Sequence, residues 1–206
     1  MYPLAPLPLE QHPELMVVQK RELGELFGFE SRNKYVIEAG GAPIAYAAEQ
    51  GKGFLGHFAR QLLGHMRSFE VHVFDPGRNL IFRAVHPFRF FFQRLEVVAA
   101  DGRPLGAVQQ RFSVFSKRFD VLDAAGNQLL SVSSPLWRPW TFSFQQQGAE
   151  AARVEKKWAG LLREAFTDAD RFRVSFAGGA LGGEGRLLVL AAALFIDLQY
   201  FEKKAE

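Results

Sequence analysis

The residue types that most often perform catalysis are present in this chain, but they are not spaced for it. Histidine occurs at positions 12, 57, 65, 72 and 86, and no carboxylate lies between His57 and His65, so no metal-ligand pattern forms. No Gly-x-Ser-x-Gly nucleophile motif occurs. Cysteine is absent, which excludes a thiolate nucleophile, a disulfide and a thiolate metal site. We therefore predict a protein that is not an enzyme and that carries no definite cofactor.

One glycine motif does fit a nucleotide-binding pattern. Gly51-Lys-Gly53-Phe-Leu-Gly56 matches Gly-x-Gly-x-x-Gly, and Asp75 follows at about the distance of a ribose-binding acid. The preceding segment, Ala-Tyr-Ala-Ala-Glu-Gln, lacks the continuous apolar run of a buried parallel strand. Asp75-Pro-Gly77 is typical of a turn, and no crossover helices follow. Nucleotide binding is therefore the lesser hypothesis.

A mildly basic segment, Gln50 to Arg67, has apolar residues at helical spacing. Two interpretations remain open: a short helix that covers one end of the fold, or an interfacial helix that lies in a lipid headgroup layer. In the second interpretation Phe54 and Phe58 enter the apolar boundary and Arg60 meets phosphate. These three residues are therefore predicted to bind lipid.

The aromatic and basic run from His86 to Arg94 also has two interpretations. As a strand, it places Phe88, Phe90 and Phe92 on one face, against a Phe-rich core. As a membrane-facing surface, it presents arginine to phosphate and phenylalanine to the acyl boundary. Tryptophan in the later Trp-Arg-Pro-Trp segment suits either a plug at the end of the fold or a membrane interface. The predicted lipid-binding residues in these two segments are Arg89, Phe91, Arg94 and Trp137.

A scaffold of hairpins is predicted to position these residues. Short alternating strands, separated by turns that contain glycine, recur about five times from Leu15 to Lys156. Gly40-Gly41 and Asp75-Pro-Gly77 are the clearest turn signals. Such a repeat is typical of an antiparallel barrel or sandwich, and a barrel leaves an interior that a helix can fill.

The last apolar stretch, Leu187 to Phe201, is predicted to be that helix. Its first ten residues carry no polar group on any face, which is typical of a helix buried in a protein core or a bilayer. The stretch is shorter than the roughly 18 to 20 apolar residues of a membrane span, and Asp197 interrupts it. We predict a helix enclosed by protein, preceded by a flexible glycine-rich lead from Gly178 to Gly185. Its predicted buried side chains include Leu187, Leu190, Leu194 and Phe195.

Composition predicts one folded domain with a tail. The chain has 206 residues, of which 48% are hydrophobic, and Phe occurs 21 times. Residues 1–13 contain four prolines and are predicted to be a flexible tail, while residues 14–206 form a single domain. Pro-x-x-Pro at Pro3 and Pro6 makes a protein partner at the tail a further hypothesis. The net charge of +3 does not indicate a nucleic-acid partner, and no secretory signal is evident.

The run from Trp158 to Asp170, which contains Leu-Arg-Glu-Ala-Phe-Thr-Asp-Ala-Asp, resembles the signature of the phospholipid scramblase family. Asn33-Lys-Tyr35, Tyr46-Ala-Ala-Glu49, and Phe88 with Leu95-Glu-Val resemble further family landmarks. The resemblance covers about Leu15 to Glu202. It implies a tubby-like fold, which is a closed antiparallel barrel of about twelve strands around a hydrophobic C-terminal helix.

The same resemblance implies a calcium loop that starts at Asp168 and includes Asp170. Mapped onto this chain, the loop has Phe172 and Arg173 at its fifth and sixth positions and Gly179 where a bidentate carboxylate is needed. We expect weak or no specific Ca²⁺ binding. The cysteine cluster that the family uses for palmitoylation is also missing, with phenylalanine in the corresponding segment from Pro87 to Gln93.

The resemblance implies a scramblase-like protein that binds anionic phospholipid at a membrane surface and moves lipid between leaflets without energy input. It also implies a cytoplasmic protein that associates peripherally with the plasma membrane. Moving a charged headgroup needs a polar path through hydrocarbon, and an enclosed apolar helix does not supply one. The alternative hypothesis is a soluble tubby-like module that binds phosphoinositide or a protein and transports nothing.

Overall fold

The computed structural model describes residues 7–20, 33–50, 68–157 and 170–201. Within these residues the chain forms twelve strands, a 3-10 turn at Leu9–Gln11, one α-helix and a terminal π-helical turn at Asp197–Phe201. The strands and the helix are β1 (Glu14–Gln19), β2 (Lys34–Ala39), β3 (Ala42–Glu49), β4 (Phe69–Phe74), β5 (Leu80–His86), β6 (Arg94–Ala99), β7 (Pro104–Arg111), β8 (Ser116–Asp123), β9 (Gln128–Pro135), β10 (Thr141–Gln146), β11 (Ala149–Lys157), β12 (Arg171–Phe176) and α1 (Gly183–Ile196).

The strands form one closed antiparallel barrel. Each strand pairs with its neighbours in sequence, and β1 pairs with β12, for example at Leu15 with Val174 and at Val17 with Phe172. Closure leaves no free sheet edge on which another chain could add a strand. The predicted antiparallel barrel of about twelve strands is therefore confirmed.

The helix α1 occupies the interior of the barrel. The ring of Phe195 lies 6.3 Å from that of Phe69 in β4, 5.6 Å from that of His86 in β5 and 5.9 Å from that of Phe119 in β8. A helix that contacts several walls of the barrel must be apolar on all sides, which explains the uninterrupted apolar sequence. The side chains of Leu187, Leu190, Leu194 and Phe195 are all buried.

The helix begins earlier than its apolar pattern predicts. Gly183 and Gly185 belong to its first turn, so the flexible lead predicted up to Gly185 is too long. The Gly183 amide donates a hydrogen bond to the Glu10 carboxylate, which also suits the positive end of the helix dipole. At Gly185 an added Cβ would lie 3.3 Å from the Leu181 side chain, so close packing favours glycine there.

Part of the predicted N-terminal tail belongs to the folded structure. Leu7 and Leu9 are buried, and Arg186 of α1 donates hydrogen bonds to the carbonyl oxygens of Leu9, at 2.6 Å, and His12, at 2.8 Å. These contacts join the described part of the predicted tail to the start of α1, and the flexibility of the tail stays a prediction. Residues 1–6, which include Pro3 and Pro6, lie outside the described residues.

The two ends of the barrel differ in their connections. Five short turns, at residues 40–41, 75–79, 100–103, 124–127 and 147–148, form what we call the closed end. Two of them share one design, in which the Asp75 or Asp123 carboxylate accepts bonds from the amide and side chain of Asn79 or Asn127. Asp75, which the nucleotide hypothesis assigned to ribose, has this turn role. We call the opposite end, where β5–β6, β7–β8 and β9–β10 are joined, the loop end.

Candidate functional site

Exposed apolar side chains are concentrated at the loop end. In the described parts of the chain, nine large hydrophobic side chains are exposed, and all nine lie in the loops β5–β6, β7–β8 and β9–β10. These loops are consecutive around the barrel wall. A clustered apolar surface of this kind marks a binding site for a protein or a membrane. The nine residues are Phe88, Phe90, Phe91, Phe92, Phe112, Val114, Phe115, Leu136 and Trp137.

The first loop corrects the strand interpretation of the aromatic run. Strand β5 ends at His86, and β6 begins only at Arg94. Phe92 adopts a positive φ of 50°, which breaks the alternation that a strand would need. The loop is held from below by Gln93, whose amide donates to Gln110 Oε1 at 2.9 Å and whose side chain donates to the Arg89 carbonyl at 3.2 Å. Its phenylalanines are therefore presented to solvent instead of the core.

The loop β7–β8 is a part of this surface that the sequence did not predict. The interval from Phe112 to Phe115 stands between strands β7 and β8. The hydroxyl groups of Ser113 and Ser116 lie 2.9 Å apart and tie the base of the loop. The missed signal is the placement of Phe, Val and Phe within so short a connection, where polar turn residues are usual.

The two tryptophans of the loop β9–β10 differ in their surroundings: one is exposed, and the other packs at the end of the barrel. Trp137 is 78% exposed, whereas the Trp140 ring packs 5.0 Å from that of Phe201, at the end of the helix. Two hydrogen bonds within the loop stabilise it. The Ser134 hydroxyl donates to the Arg138 carbonyl, and the Arg138 backbone amide donates to the Pro135 carbonyl. Trp140 closes the barrel, and Trp137 projects away from it.

Basic side chains accompany the apolar loops. Arg89 and Arg138 are exposed within the first and third loops. Arg94 lies on the outer wall, where its guanidinium is 3.3 Å from Glu96 Oε1 and 3.3 Å from Gln109 Oε1. The structure thus brings Arg89, Phe91 and Trp137 to one end of the barrel and places Arg94 at its rim.

The interior face of the barrel becomes polar at this same end. Because side chains alternate between the two faces of a strand, every second residue faces the interior. Most inward residues are apolar, but the last inward residue of most strands at the loop end is polar. We call this ring of residues the polar collar. Asn33 donates to Glu49 Oε2 at 2.7 Å and accepts from Gln19 at 2.9 Å. Its members are Gln19, Asn33, Glu49, His86, Gln93, Gln110, Lys117, Ser134, Lys156 and Asp170.

The terminal π-helical turn fills the centre of the collar. The Tyr35 hydroxyl donates a hydrogen bond to Asp197 Oδ2 at 2.7 Å, which accounts for the acidic residue that interrupts the apolar stretch. Tyr200 lies beside Gln110, and burial raises the pKa of its hydroxyl to about 12, so the group stays protonated at neutral pH. The family landmarks Asn33, Tyr35 and Glu49 therefore all serve this mouth of the barrel.

The positions of the family's calcium loop have other roles where they are described. The Asp170 carboxylate lies 2.6 Å from Lys156 Nζ, and strand β12 begins at the next residue. Phe172 points into the core, and Arg173 forms an ion pair with Glu155 at 2.6 Å. Over residues 7–20, 33–50, 68–157 and 170–201, no group of three or more His, Cys, Asp or Glu residues could hold a metal ion.

Some predicted site residues cannot be placed. Phe54, Phe58 and Arg60, the glycine motif around them, and Asp168 lie outside the described residues. Among the helices in the part of the chain that the structure does describe, none combines the length and apolar character required to cross a bilayer.

Comparison with known proteins gives a consistent family. The family model described as Scramblase matches residues 3–203. Human phospholipid scramblase 2 is 27% identical in an alignment of 210 positions that covers 95% of this chain and 69% of that protein. Human phospholipid scramblase 1 is also 27% identical, and the chain spans 64% of its length. The yeast protein "Altered inheritance rate of mitochondria protein 25", from Saccharomyces cerevisiae, is 24% identical over 93% of this chain and 71% of its own length.

A solved structure supports the fold. An X-ray structure of a protein from Arabidopsis thaliana aligns with a TM-score of 0.51 and 13% identity, over 90% of this chain and 91% of that one. At that identity the likeness concerns the fold alone, which is tubby-like. Because the family model matches residues 3–203, this chain belongs to the Scramblase family, and the closed barrel with its enclosed helix agrees with that assignment.

Proposed function

We propose that this protein binds anionic phospholipid at a membrane surface through its loop end. The observation that carries the proposal is the confinement of all nine exposed large apolar side chains, within the described residues, to three neighbouring loops. Exposed Arg89 and Arg138 accompany them. Aromatic side chains with nearby cations suit a bilayer interface, where rings enter the acyl boundary and cations meet phosphate. A membrane leaflet rich in anionic lipid, such as the cytoplasmic side of the plasma membrane, is the expected partner.

The enclosed helix favours this mode of binding over insertion of the C-terminal stretch. Freeing α1 would expose its buried apolar residues and would break the bonds that Arg186 and Asp197 make with other parts of the fold. Burial of a single large apolar side chain is worth about 1.5–3 kcal/mol, so the total cost of release is large. The loops need no such rearrangement, because their apolar side chains are already exposed.

Flotation with liposomes tests the proposal. We expect the wild-type protein to float with vesicles of phosphatidylcholine and phosphatidylserine, and the variant F91S/W137S to lose at least about tenfold in affinity, equivalent to about 1.4 kcal/mol. The matched control F91L/W137F keeps apolar side chains at both positions and should bind nearly as well as wild type. Failure of the wild-type protein to bind any vesicle would refute the proposal.

The names of the human relatives support a second activity, which is movement of phospholipid between leaflets without energy input. A fluorescence assay on reconstituted vesicles measures it directly, because dithionite quenches only labelled lipid in the outer leaflet. We expect faster quenching of the protected pool when the protein is present. Unchanged quenching, with and without calcium, in vesicles that bind the protein would leave lipid binding as its function and remove transport.

A further inference from the structure

Two lysines of the polar collar approach the end of the chain's helical segment from different strands. Lys117 in β8 has its Nζ 4.2 Å from the centre of the Tyr200 ring and 5.6 Å from that of Phe201. Lys156 in β11 has its Nζ 4.9 Å from the centre of the same Phe201 ring. Both ammonium groups therefore lie within 6 Å of one aromatic ring at the mouth of the barrel.

The surroundings of this lysine pair favour an anionic ligand. Lys117 also lies near the Phe142 ring, and Lys156 lies near those of Trp140 and Phe172. These rings form cation–π contacts that position the two ammonium groups, and the mostly buried Lys156 side chain is less screened by solvent than a fully exposed lysine would be. Asp170 forms an ion pair with Lys156 at 2.6 Å and offsets the charge of that lysine.

The depth of the pair matches the phosphate layer of a bilayer. Lys117 follows Phe115, an exposed tip of the second loop, by two residues, and a strand advances roughly 3.3 Å per residue. The lysine is thus about 7 Å behind that tip along the chain. Interfacial apolar groups enter the headgroup and acyl boundary by about 5–10 Å, which places Lys117 beside the phosphates when the loops are inserted. Lys156 lies near the same Phe201 ring as Lys117.

We propose that Lys117 and Lys156 together bind the phosphate of an anionic phospholipid headgroup at the mouth of the barrel. This inference rests on the proposed function, since it requires the loop end to face the membrane. It adds a defined polar site to a surface whose exposed residues would otherwise give only general adhesion.

Vesicle binding by charge-matched variants tests the site. The variant K117Q/K156Q removes two positive charges from inside the mouth, and R118Q/K157Q removes two from the adjacent, outward-facing positions. We expect the first variant to lose roughly tenfold or more in affinity for vesicles that contain phosphatidylserine, since each cation near such a surface contributes about 1 kcal/mol. The second variant should lose clearly less, and K117R/K156R should retain binding.

Three results separate the possible outcomes. Equal losses in the two glutamine variants would show that only overall charge matters, and this would overturn the site while leaving membrane binding intact. Absence of wild-type binding would instead overturn the proposed function itself. Titration of the wild-type protein with inorganic phosphate at constant ionic strength, followed by tryptophan fluorescence, addresses the source of the ligand. Lysine-dependent binding of free phosphate, without any effect of the lysines on vesicles, would overturn the assignment to lipid.

The single variant K117Q guards against misfolding. Replacement of Lys156 leaves Asp170 without its ion-pair partner and could reduce stability, whereas Lys117 lies over rings that a glutamine side chain can still cover. Thermal unfolding of each variant is therefore measured alongside binding. A K117Q protein that unfolds like wild type and still binds anionic vesicles with full affinity contradicts the proposal.

Discussion

The closed end and the loop end of this barrel are made from the same twelve strands, but their connections differ in polarity and in exposed apolar surface. At the closed end, polar turns such as those of Asp75 and Asp123 satisfy their own backbone groups and expose no large apolar side chain. At the loop end, the connections carry all the large aromatic side chains that are exposed among the described residues. The closed end therefore stabilises the barrel, and the loop end is available for a partner.

The two ends also differ in the hydrogen bonds that join the helical segment to the rest of the fold. At the closed end, Arg186 and Glu10 join the start of α1 to the N-terminal segment. At the loop end, the Tyr35 hydroxyl donates a hydrogen bond to Asp197, and Gln110 contacts the Tyr200 hydroxyl at 3.4 Å, so the wall meets the terminal turn within a polar ring. Substitutions at the closed end should consequently change stability, and substitutions in the loops should change binding.

The largest loss of stability is expected for R186M. The guanidinium donates to carbonyls of Leu9, His12 and Leu181, and hydrogen bonds of charged groups contribute more than neutral ones, so we expect a loss of about 3 kcal/mol. Urea denaturation measures it. The control R103M removes an exposed pair with Glu184 and should cost less than about 0.5 kcal/mol. Similar losses in both variants would contradict the anchoring role of Arg186.

A smaller loss is expected for Y35F. The substitution keeps the ring but removes the hydroxyl that donates to Asp197, which leaves a buried carboxylate oxygen with one bond fewer and should cost about 2 kcal/mol. Thermal and urea unfolding measure the change. Y200F, which removes only a long contact with Gln110 at 3.4 Å, should cost less. A larger effect for Y200F than for Y35F would reverse our view of what holds the terminal turn.

A pH-dependent contribution is expected from Glu155. Its hydrogen bond with Arg173 lowers the pKa of the carboxyl below its ordinary value of 4.5, against the opposing effect of burial. A lowered pKa stabilises the fold above the unfolded pKa, and this stabilisation is lost as pH falls through the folded value. E155Q should therefore cost under about 1 kcal/mol at neutral pH and should flatten the acidic part of the stability curve. Fully additive losses in E155Q/R173M would show that the pair is not coupled.

The smallest effect on stability is expected for F112S/F115S. Both side chains are more than 70% exposed, so unfolding free energy should stay within about 0.5 kcal/mol of wild type. Vesicle affinity, by contrast, should fall by at least about tenfold if these rings enter the bilayer. Loss of stability with unchanged vesicle binding would erase the distinction between the two ends.

The sequence predicted the scaffold more completely than the site. Alternating strands, turn residues and an all-apolar helix reflect burial patterns that the backbone enforces, and the barrel follows from them. The conformation of the aromatic run from Phe88 to Phe92 could not be predicted, because alternating phenylalanines fit a buried strand and an exposed loop equally well. The positive φ of Phe92 and the support from Gln93 decide it, and both depend on tertiary contacts.

The two tryptophans and Arg186 illustrate the same limit. Trp137 and Trp140 are three residues apart in one motif, yet only Trp140 meets the helix end. Arg186 precedes the apolar stretch and looks like an ordinary charged flank, but it is buried against carbonyl groups from the other end of the chain. A pattern of residue types does not reveal which distant backbone covers a side chain.

The position of α1 after the twelfth strand has a consequence for biosynthesis. The hairpins can form one after another as they are translated, but the wall closes only when β12 meets β1, and its interior stays hollow until α1 has been made. Until then, the apolar inner faces of the hairpins in a nascent chain are uncovered and can associate wrongly with one another or with other polypeptides. We expect such a chain to depend on chaperones during synthesis, in contrast to domains whose central helix is translated first.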